Sequence, residues 1–432
     1  MNQSHCCVII GASHAGVNLA FALRKEGWQG SIKLIDADPH LPYHRPPLSK
    51  GFLTETPVDG RAPIEKIQLK PIASYEKNDV ELMLGIRVES IDADAQQLTL
   101  TNGETLSFTK LVLATGARPF MPPIDGLQDA KNLFPLRTAT DVIDIKTALT
   151  NGNKNVVIIG GGYIGLETAA SLRKLGHEVT VLERESRILA RVTSPQLSAF
   201  FTELHQQHGV EVLTDKDVVK ITTDDNGCNQ IPNQIICADG SQFAADIIIV
   251  GVGIRVNSEL AAAVGLNIEH GGIKVDSSAK TSFDNIYAIG DCSYHFNPHY
   301  QRFLRLESVQ NAVEQAKVAA KSICGKDAEY DALPWFWSDQ YDVKLQMVGL
   351  GEGYDDVIVR VEAQDEGGDD IVLNNVSKRS LWYFKGEELL AVDAVNSSKA
   401  YVLGTKFIKA KETLNKQKLA DPSVELKPLN FV

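Results

Sequence analysis

Two short glycine-rich turns hold the residues best suited to chemistry. The first, "VIIGASHAG" (Val8 to Gly16), carries Gly11, Ser13 and Gly16; the second, "VVIIGGGYIG" (Val156 to Gly165), sets Gly160, Gly162 and Gly165 at the same spacing. Each follows a β-branched apolar run and leads, through a second such run, to an acid: Asp36 lies 20 residues beyond Gly16, and Glu183 lies 18 beyond Gly165. Glycines so spaced let backbone N–H groups approach a pyrophosphate at a helix N-terminus, while an acid about 20 residues on accepts hydrogen bonds from a ribose. The pattern predicts two dinucleotide sites. Ser13 stands where the middle glycine of the first would be and narrows it, but strand, helix and acid all remain.

The elements that must position these turns are legible around them. "GVNLAFALRKEGW" and "GLETAASLRKLGH" have helical apolar periodicity and run out at Gly27 and Gly176, and the strands "SIKLID" and "EVTVLE" end on the two acids. "KLVLATGARP" (Lys110 to Pro119) and "DIIIVGVGIR" (Asp246 to Arg255) are buried-type strands breaking into turns, and "NIYAIGDC" arrives only at Asn285 to Cys292. This order predicts an α/β chain with two Rossmann-like dinucleotide-binding domains, the first discontinuous (1–115 and 250–328) and the second (116–249) inserted into it. From Leu333 the runs "DVIVRV", "SLWYF" and "LLAVDAV", then a helix starting near Asn396, predict a small α+β C-terminal domain over 329–432.

Composition limits what such a chain does. With 432 residues, 44% hydrophobic and 23% charged, and a formal net charge of -12, it reads as a globular protein and not as a general binder of nucleic acid or anionic membranes. No 18-residue apolar run and no signal-peptide layout occurs, so a cytoplasmic protein is expected. The six cysteines (Cys6, Cys7, Cys228, Cys237, Cys292 and Cys324) form no CxxC or metal-ligand spacing and are expected as buried, reduced thiols, with Cys6 and Cys7 on opposite faces of a strand. Two dinucleotides suggest a relay in which a nicotinamide hands a hydride to a flavin. Disulfide reduction is set aside, because no cysteine lies between Cys7 and Cys228.

Seven stretches, "GASHAG", "PYHRPPLSK", "LATGARP", "GGGYIGLE", "AIGDC", "ESVQNAVEQA" and "PWFWSDQYDVKLQMVG", occur in an order that resembles, over nearly the whole chain, the FAD-dependent NADH:ferredoxin reductases of bacterial cytochrome P450 and ring-hydroxylating dioxygenase systems. This is the group that includes putidaredoxin and rubredoxin reductases. The resemblance implies a glutathione-reductase-like fold, FAD and NADH as cofactors, and a 2Fe–2S ferredoxin (alternatively a rubredoxin) as acceptor, with the chain a monomer or weak homodimer. NADH oxidases, quinone reductases and apoptosis-inducing-factor-like NADH sensors share the two-fingerprint fold and stay open as alternatives.

Roles carry over position by position. The resemblance implies FAD contacts at Gly11, Ser13, Ala15, Gly16, Asp36, Val88, Ala114, Thr115, Gly116 and Arg137, with Arg45 along the phosphates and Lys50 near the reactive nitrogen of the flavin. It places Asp291 at the ribityl chain and Glu307, Ser308 and Val309 at a helix start facing the pyrimidine end. NAD contacts are implied at Gly160, Gly162, Tyr163, Ile164, Gly165, Glu183 and Gly253, and Glu167 is implied to reach the nicotinamide–flavin junction and pair with Lys50. Glu183 would repel a 2′-phosphate, which predicts NADH over NADPH. Trp335, Phe336 and Trp337 are implied to wall the flavin's far side. Arg302, Arg305, Lys406, Lys409, Lys411, Lys416 and Lys418 are basic docking candidates for an acidic partner.

Overall fold

A computed structural model describes residues 5–55, 63–150, 152–223, 233–362 and 378–432; Cys228 lies outside them. The chain divides into two compact units, one of Met1–Pro47, Thr56–Arg118 and Ile254–Ala332, the other of Leu48–Glu55, Pro119–Gly253 and Leu333–Val432.

In the first unit the apolar run Cys6–Ile10 is the middle strand of a five-stranded parallel sheet. Ser31–Asp36 lies on one side of it and Lys110–Leu113 on the other, the latter paired in turn with Ile286–Ala288. All five residues of Cys6–Ile10 are buried because both faces are covered, as a parallel strand requires. Cys7 and Ile9 pack under the helix His14–Glu26, whereas Cys6, Val8 and Ile10 pack with Leu98, Leu100 and Phe108 of the opposite layer, so the paired cysteines do face opposite ways. His14–Glu26 ends on Gly27 in the left-handed conformation. The helix Val309–Ile323 packs on it, and Ala312, Ala316, Ala319 and Ala320 along its buried side allow close approach.

The second unit repeats the plan. Asn155–Ile159 is the middle strand of another five-stranded parallel sheet, flanked by Glu178–Leu182 and Ile247–Val250 and followed by the helix Tyr163–Lys174. The C-terminal segment adds a five-stranded antiparallel sheet: Trp335–Gln340, Val343–Gly349, Glu388–Val395, Arg379–Lys385 and Asp356–Val361, in that order across the sheet. The helix Ser398–Ala410 covers it, with Gly404 so close to Val392 that a Cβ would lie 2.6 Å from Cγ2. Among the described residues no helix is long and apolar enough to cross a membrane.

Candidate functional site

The two glycine turns fold into near-identical geometry. In both sheets the turn leaves the middle strand where the chain order reverses to either side, the position where open α/β sheets bind ligands. Gly11 and Gly160 have φ of 110° and 111°, a region that disfavours other residues. A Cβ on Gly11 would strike the Ala114 carbonyl oxygen, and one on Gly16 that of Gly11; the same holds for Gly160 against Gly251 and Gly165 against Gly160. These glycines let helix and strand close beneath the turn. At Gly162, by contrast, a Cβ would meet nothing within 4 Å, so the outer side of the second turn is open for a diphosphate.

The two acids also behave alike. Asp36 accepts hydrogen bonds from Ala12 N (2.5 Å) and Asp38 N (2.8 Å), and Glu183 accepts from Gly161 N (2.7 Å) and Glu185 N (2.8 Å). Each carboxylate is thus fixed against its own glycine turn, where a ribose bound there would find it. Both turns fit a dinucleotide.

Around the first turn, Arg45 Nε lies 3.5 Å from Ser13 Oγ, and its guanidinium stacks over the Tyr43 ring at 4.7 Å. Thr115 and Asn257 exchange hydrogen bonds at 2.7 and 2.8 Å, fixing the segment Ala114, Thr115, Gly116. Asp291 sits in the single turn Gly290–Cys292, and the Gly290 N–H donates to Gln315 of Val309–Ile323. That helix begins at Val309, with Ser308 as its cap accepting from Asn311 N at 3.0 Å. Glu307 stands outside the helix and pairs with Arg305 at 2.5 Å, a neutralisation that the sequence reading of Arg305 as a docking charge did not include. Ala15 is buried on the helix above, and Val88 is buried at the head of the antiparallel strand Val88–Asp92.

Around the second turn, Tyr163 opens the helix and donates to Met347 Sδ at 3.0 Å, and Ile164 is exposed. Gly253 has a φ of 122° and open space at its Cβ position. Arg137 precedes the capping box of the helix Ala139–Ala148, and its N–H donates to Asp141. Glu167, the fifth residue of Tyr163–Lys174, is buried and held by three side chains. Its Oε2 accepts from Lys50 Nζ at 2.7 Å and from Ser49 Oγ at 2.6 Å, and its Oε1 accepts from Ser338 Oγ at 2.7 Å. The glutamate side chain is 7% exposed and that of Lys50 21%. Ser49 and Ser338 went unread in the sequence, because single serines in distant segments form no pattern.

Asp393 is a second buried acid. It accepts from Tyr383 OH (2.6 Å) and Thr193 Oγ1 (2.8 Å), and burial pushes its carboxyl up to about 6. On Trp335–Gln340, Trp335 and Trp337 share one face with ring centroids 5.5 Å apart, and neither they nor Phe336 are fully buried. The described cysteines are all free; Cys292 is buried, donates to backbone carbonyls of Leu113 and Ile289, and has its thiol pushed up by burial. A thiol held so is inert.

Known proteins share this architecture. A family description of pyridine nucleotide-disulphide oxidoreductases matches residues 5–316, and one of a reductase C-terminal domain matches 335–430. The putidaredoxin reductase of Pseudomonas putida is 39% identical, covering 99% of this chain and 97% of its own. The ferredoxin reductase subunit of the 5,5'-dehydrodivanillate O-demethylase of a Sphingobium species is 38% identical over 98% of each. The crystal structure of a covalent putidaredoxin reductase–putidaredoxin complex superposes with a TM-score of 0.88 at 38% identity, covering 98% of both chains. With matches of this extent along both its fingerprint turns and its C-terminal sheet, the chain belongs to the pyridine nucleotide-disulphide oxidoreductase family, as an oxidoreductase that uses FAD and NAD(H).

Proposed function

We propose that this chain passes electrons from NADH through FAD to a small iron–sulfur protein, a 2Fe–2S ferredoxin that supplies a cytochrome P450 or a ring-hydroxylating dioxygenase. The observation that carries this reading is the ion pair of Lys50 with Glu167, buried on the helix that follows the second fingerprint. The buried carboxylate holds a partly exposed ammonium in one place, a fixed cation beside the second fingerprint's helix. FAD, when bound, would supply the conversion of a two-electron hydride into single-electron deliveries. Lys50 then stabilises the negative charge that hydride uptake creates, and Glu167 fixes the lysine.

The residues divide by role. Gly11, Ser13, Ala15, Gly16, Ala114, Thr115 and Gly116 line the FAD diphosphate and its turn, Arg45 faces the phosphates, and Asp36 takes the ribose. Asp291, Val88 and Arg137 add contacts, and the segment Glu307, Ser308 and Val309, with Ser308 as cap, turns the positive end of a fifteen-residue helix to the flavin. Gly160, Gly162, Tyr163, Ile164, Gly165 and Gly253 hold NADH, with Glu183 on its ribose. On this assignment 1–115 with 250–328 is the FAD-binding domain, 116–249 the NAD-binding domain, and 329–432 the domain nearest the acceptor. Free thiols at every described cysteine support a reducing compartment, the cytoplasm.

The acceptor face is read from charge. Val402, 61% exposed, shares one side of the helix Ser398–Ala410 with Lys399, Lys406 and Lys409, an apolar point within a basic stripe suited to an acidic ferredoxin. Lys416 is tied instead to Asp356 at 3.1 Å. The test is NADH-dependent cytochrome c reduction with a 2Fe–2S ferredoxin added, followed against salt. Ferredoxin should accelerate flavin reoxidation, and the rate should fall steeply with ionic strength. Acceleration by a quinone or oxygen and by no ferredoxin or rubredoxin would overturn the acceptor class.

A further inference from the structure

Glu167 has a support that its pairing with Lys50 does not require. On the strand Trp335–Gln340, Ser338 and Gln340 point to the same face and are each 1% exposed, a polar pair where an apolar one would pack more cheaply. Ser338 Oγ donates to Glu167 Oε1 at 2.7 Å. Gln340 Nε2 donates to Ser338 Oγ at 3.2 Å, and Gln340 Oε1 faces His205 Nε2 at 2.8 Å. His205, fully buried on the helix Pro195–Gln207, lies with Nδ1 3.3 Å from Tyr341 OH. Tyr341 stacks on His208 at 3.6 Å and is only partly buried.

The polarity of this chain is fixed by its chemistry. An amide oxygen only accepts, so His205 must carry a proton on Nε2. A neutral imidazole then has Nδ1 free to accept, and Tyr341 OH donates to it. Burial pushes His205 down to about 4, which keeps it neutral in ordinary buffers. Hence every hydrogen bond from Tyr341 to the carboxylate points inward. Tyr341 also holds a φ of 55° in the hairpin turn, which is unusual for a bulky residue and brings its hydroxyl to His205. The other charged or titratable groups in this network are His208, Arg173, which donates to the His208 carbonyl, and Lys50 on the far side of Glu167.

We infer that Ser338, Gln340 and His205 are positioning residues for hydride transfer, a one-way hydrogen-bond chain that holds the Glu167 carboxylate aimed at Lys50. The inference rests on the reading of Lys50 and Glu167 as the working charge pair. It assigns function to a residue, His205, that lies four hydrogen bonds along from Lys50.

The experiment is a double-mutant cycle on flavin-loaded protein, read by stopped-flow flavin reduction under saturating NADH. Ser338→Ala should slow reduction on the order of ten-fold, the loss of one hydrogen bond to a charged group, while in a Glu167→Gln background the same change should matter by less than about two-fold. Ser338→Thr keeps the hydroxyl and should restore the rate. Gln340→Met, one link further out, gives a smaller loss in the same direction and supplies the reading should Ser338→Ala not retain flavin. A readout independent of turnover is 15N NMR of histidine-labelled protein, which should find the His205 proton on Nε2. Equal slowing in both backgrounds, or a proton on Nδ1, overturns the chain. If Glu167→Gln alone leaves reduction at the parent rate, the charge-pair reading itself fails; if it slows reduction and Ser338→Ala and Gln340→Met do not, the relay alone fails.

Discussion

Removing Lys50 separates catalysis from stability in a way that can be worked out in advance. In Lys50→Ala the Glu167 carboxylate keeps its hydroxyl donors Ser49 and Ser338 but loses the cation at 2.7 Å. Breaking a fully buried pair costs about 3–5 kcal/mol. Here the lysine is 21% exposed and two donors remain, so about 1–3 kcal/mol is expected, a fall in melting temperature of a few degrees. The rate of flavin reduction by NADH should fall on the order of 10²-fold, the loss typical of a removed electrostatic stabiliser, with NADH and FAD affinity little changed. The double variant Lys50→Ala/Glu167→Gln removes the stranded charge as well. It should recover most of the lost stability and none of the lost rate. Rapid-mixing reduction of the flavin under anaerobic conditions, alongside thermal melts of the parent, the single and the double variant, makes the comparison. An unchanged reduction rate in Lys50→Ala, or a rate that returns with stability in the double variant, would refute the electrostatic role and leave the pair as packing.

Two further outcomes follow from the acids. Asp393 has its carboxyl raised to about 6 by burial, above its unfolded value of 3.8, so the folded protein holds that proton more tightly and this group's contribution to stability falls as pH rises from about 4 through about 6. Asp393→Asn should therefore be more stable than the parent by up to about 3 kcal/mol near pH 7 and indistinguishable near pH 4, as read by denaturant midpoints at both; a gap that is the same at both pH values would contradict it. At the second fingerprint, Glu183→Ala should lose discrimination against NADPH while flavin content is retained, and a parent enzyme with equal catalytic efficiency for NADH and NADPH would show that Glu183 does not select.

What the sequence revealed and what it hid differ by how local the signal was. The glycine turns, their helices and both acids lie within stretches of about thirty residues, where periodicity and spacing speak directly, and the structure ends the first helix on Gly27 and the second one residue before a left-handed Gly176, at its cap Leu175. The surroundings of Glu167 come from Ser49, Ser338, Gln340 and His205, four residues on three segments that only the tertiary fold brings together. One trace of them was there to read: in "WFWSDQ" the polar residues Ser338 and Gln340 recur with the period of a strand, where a polar pair at buried positions calls for partners. Likewise Arg305 read as a free charge, since pairing with a residue two positions along requires the extended backbone on which Glu307 turns back to it.

The interrupted layout of the first unit bears on how the protein is made. Its central sheet cannot close until Ile286–Ala288 reaches Lys110–Leu113, and its covering helix Val309–Ile323 emerges later still. On the ribosome, then, Lys110–Leu113 waits as an unpaired, apolar strand edge while the whole inserted segment is synthesised, and synthesis proceeds at about 5–20 residues per second. Such an edge is a template for pairing with another chain. The nascent protein should accordingly depend on chaperone protection through that interval, and truncations ending before residue 285 should accumulate as aggregates even where the segment carrying the second fingerprint is intact.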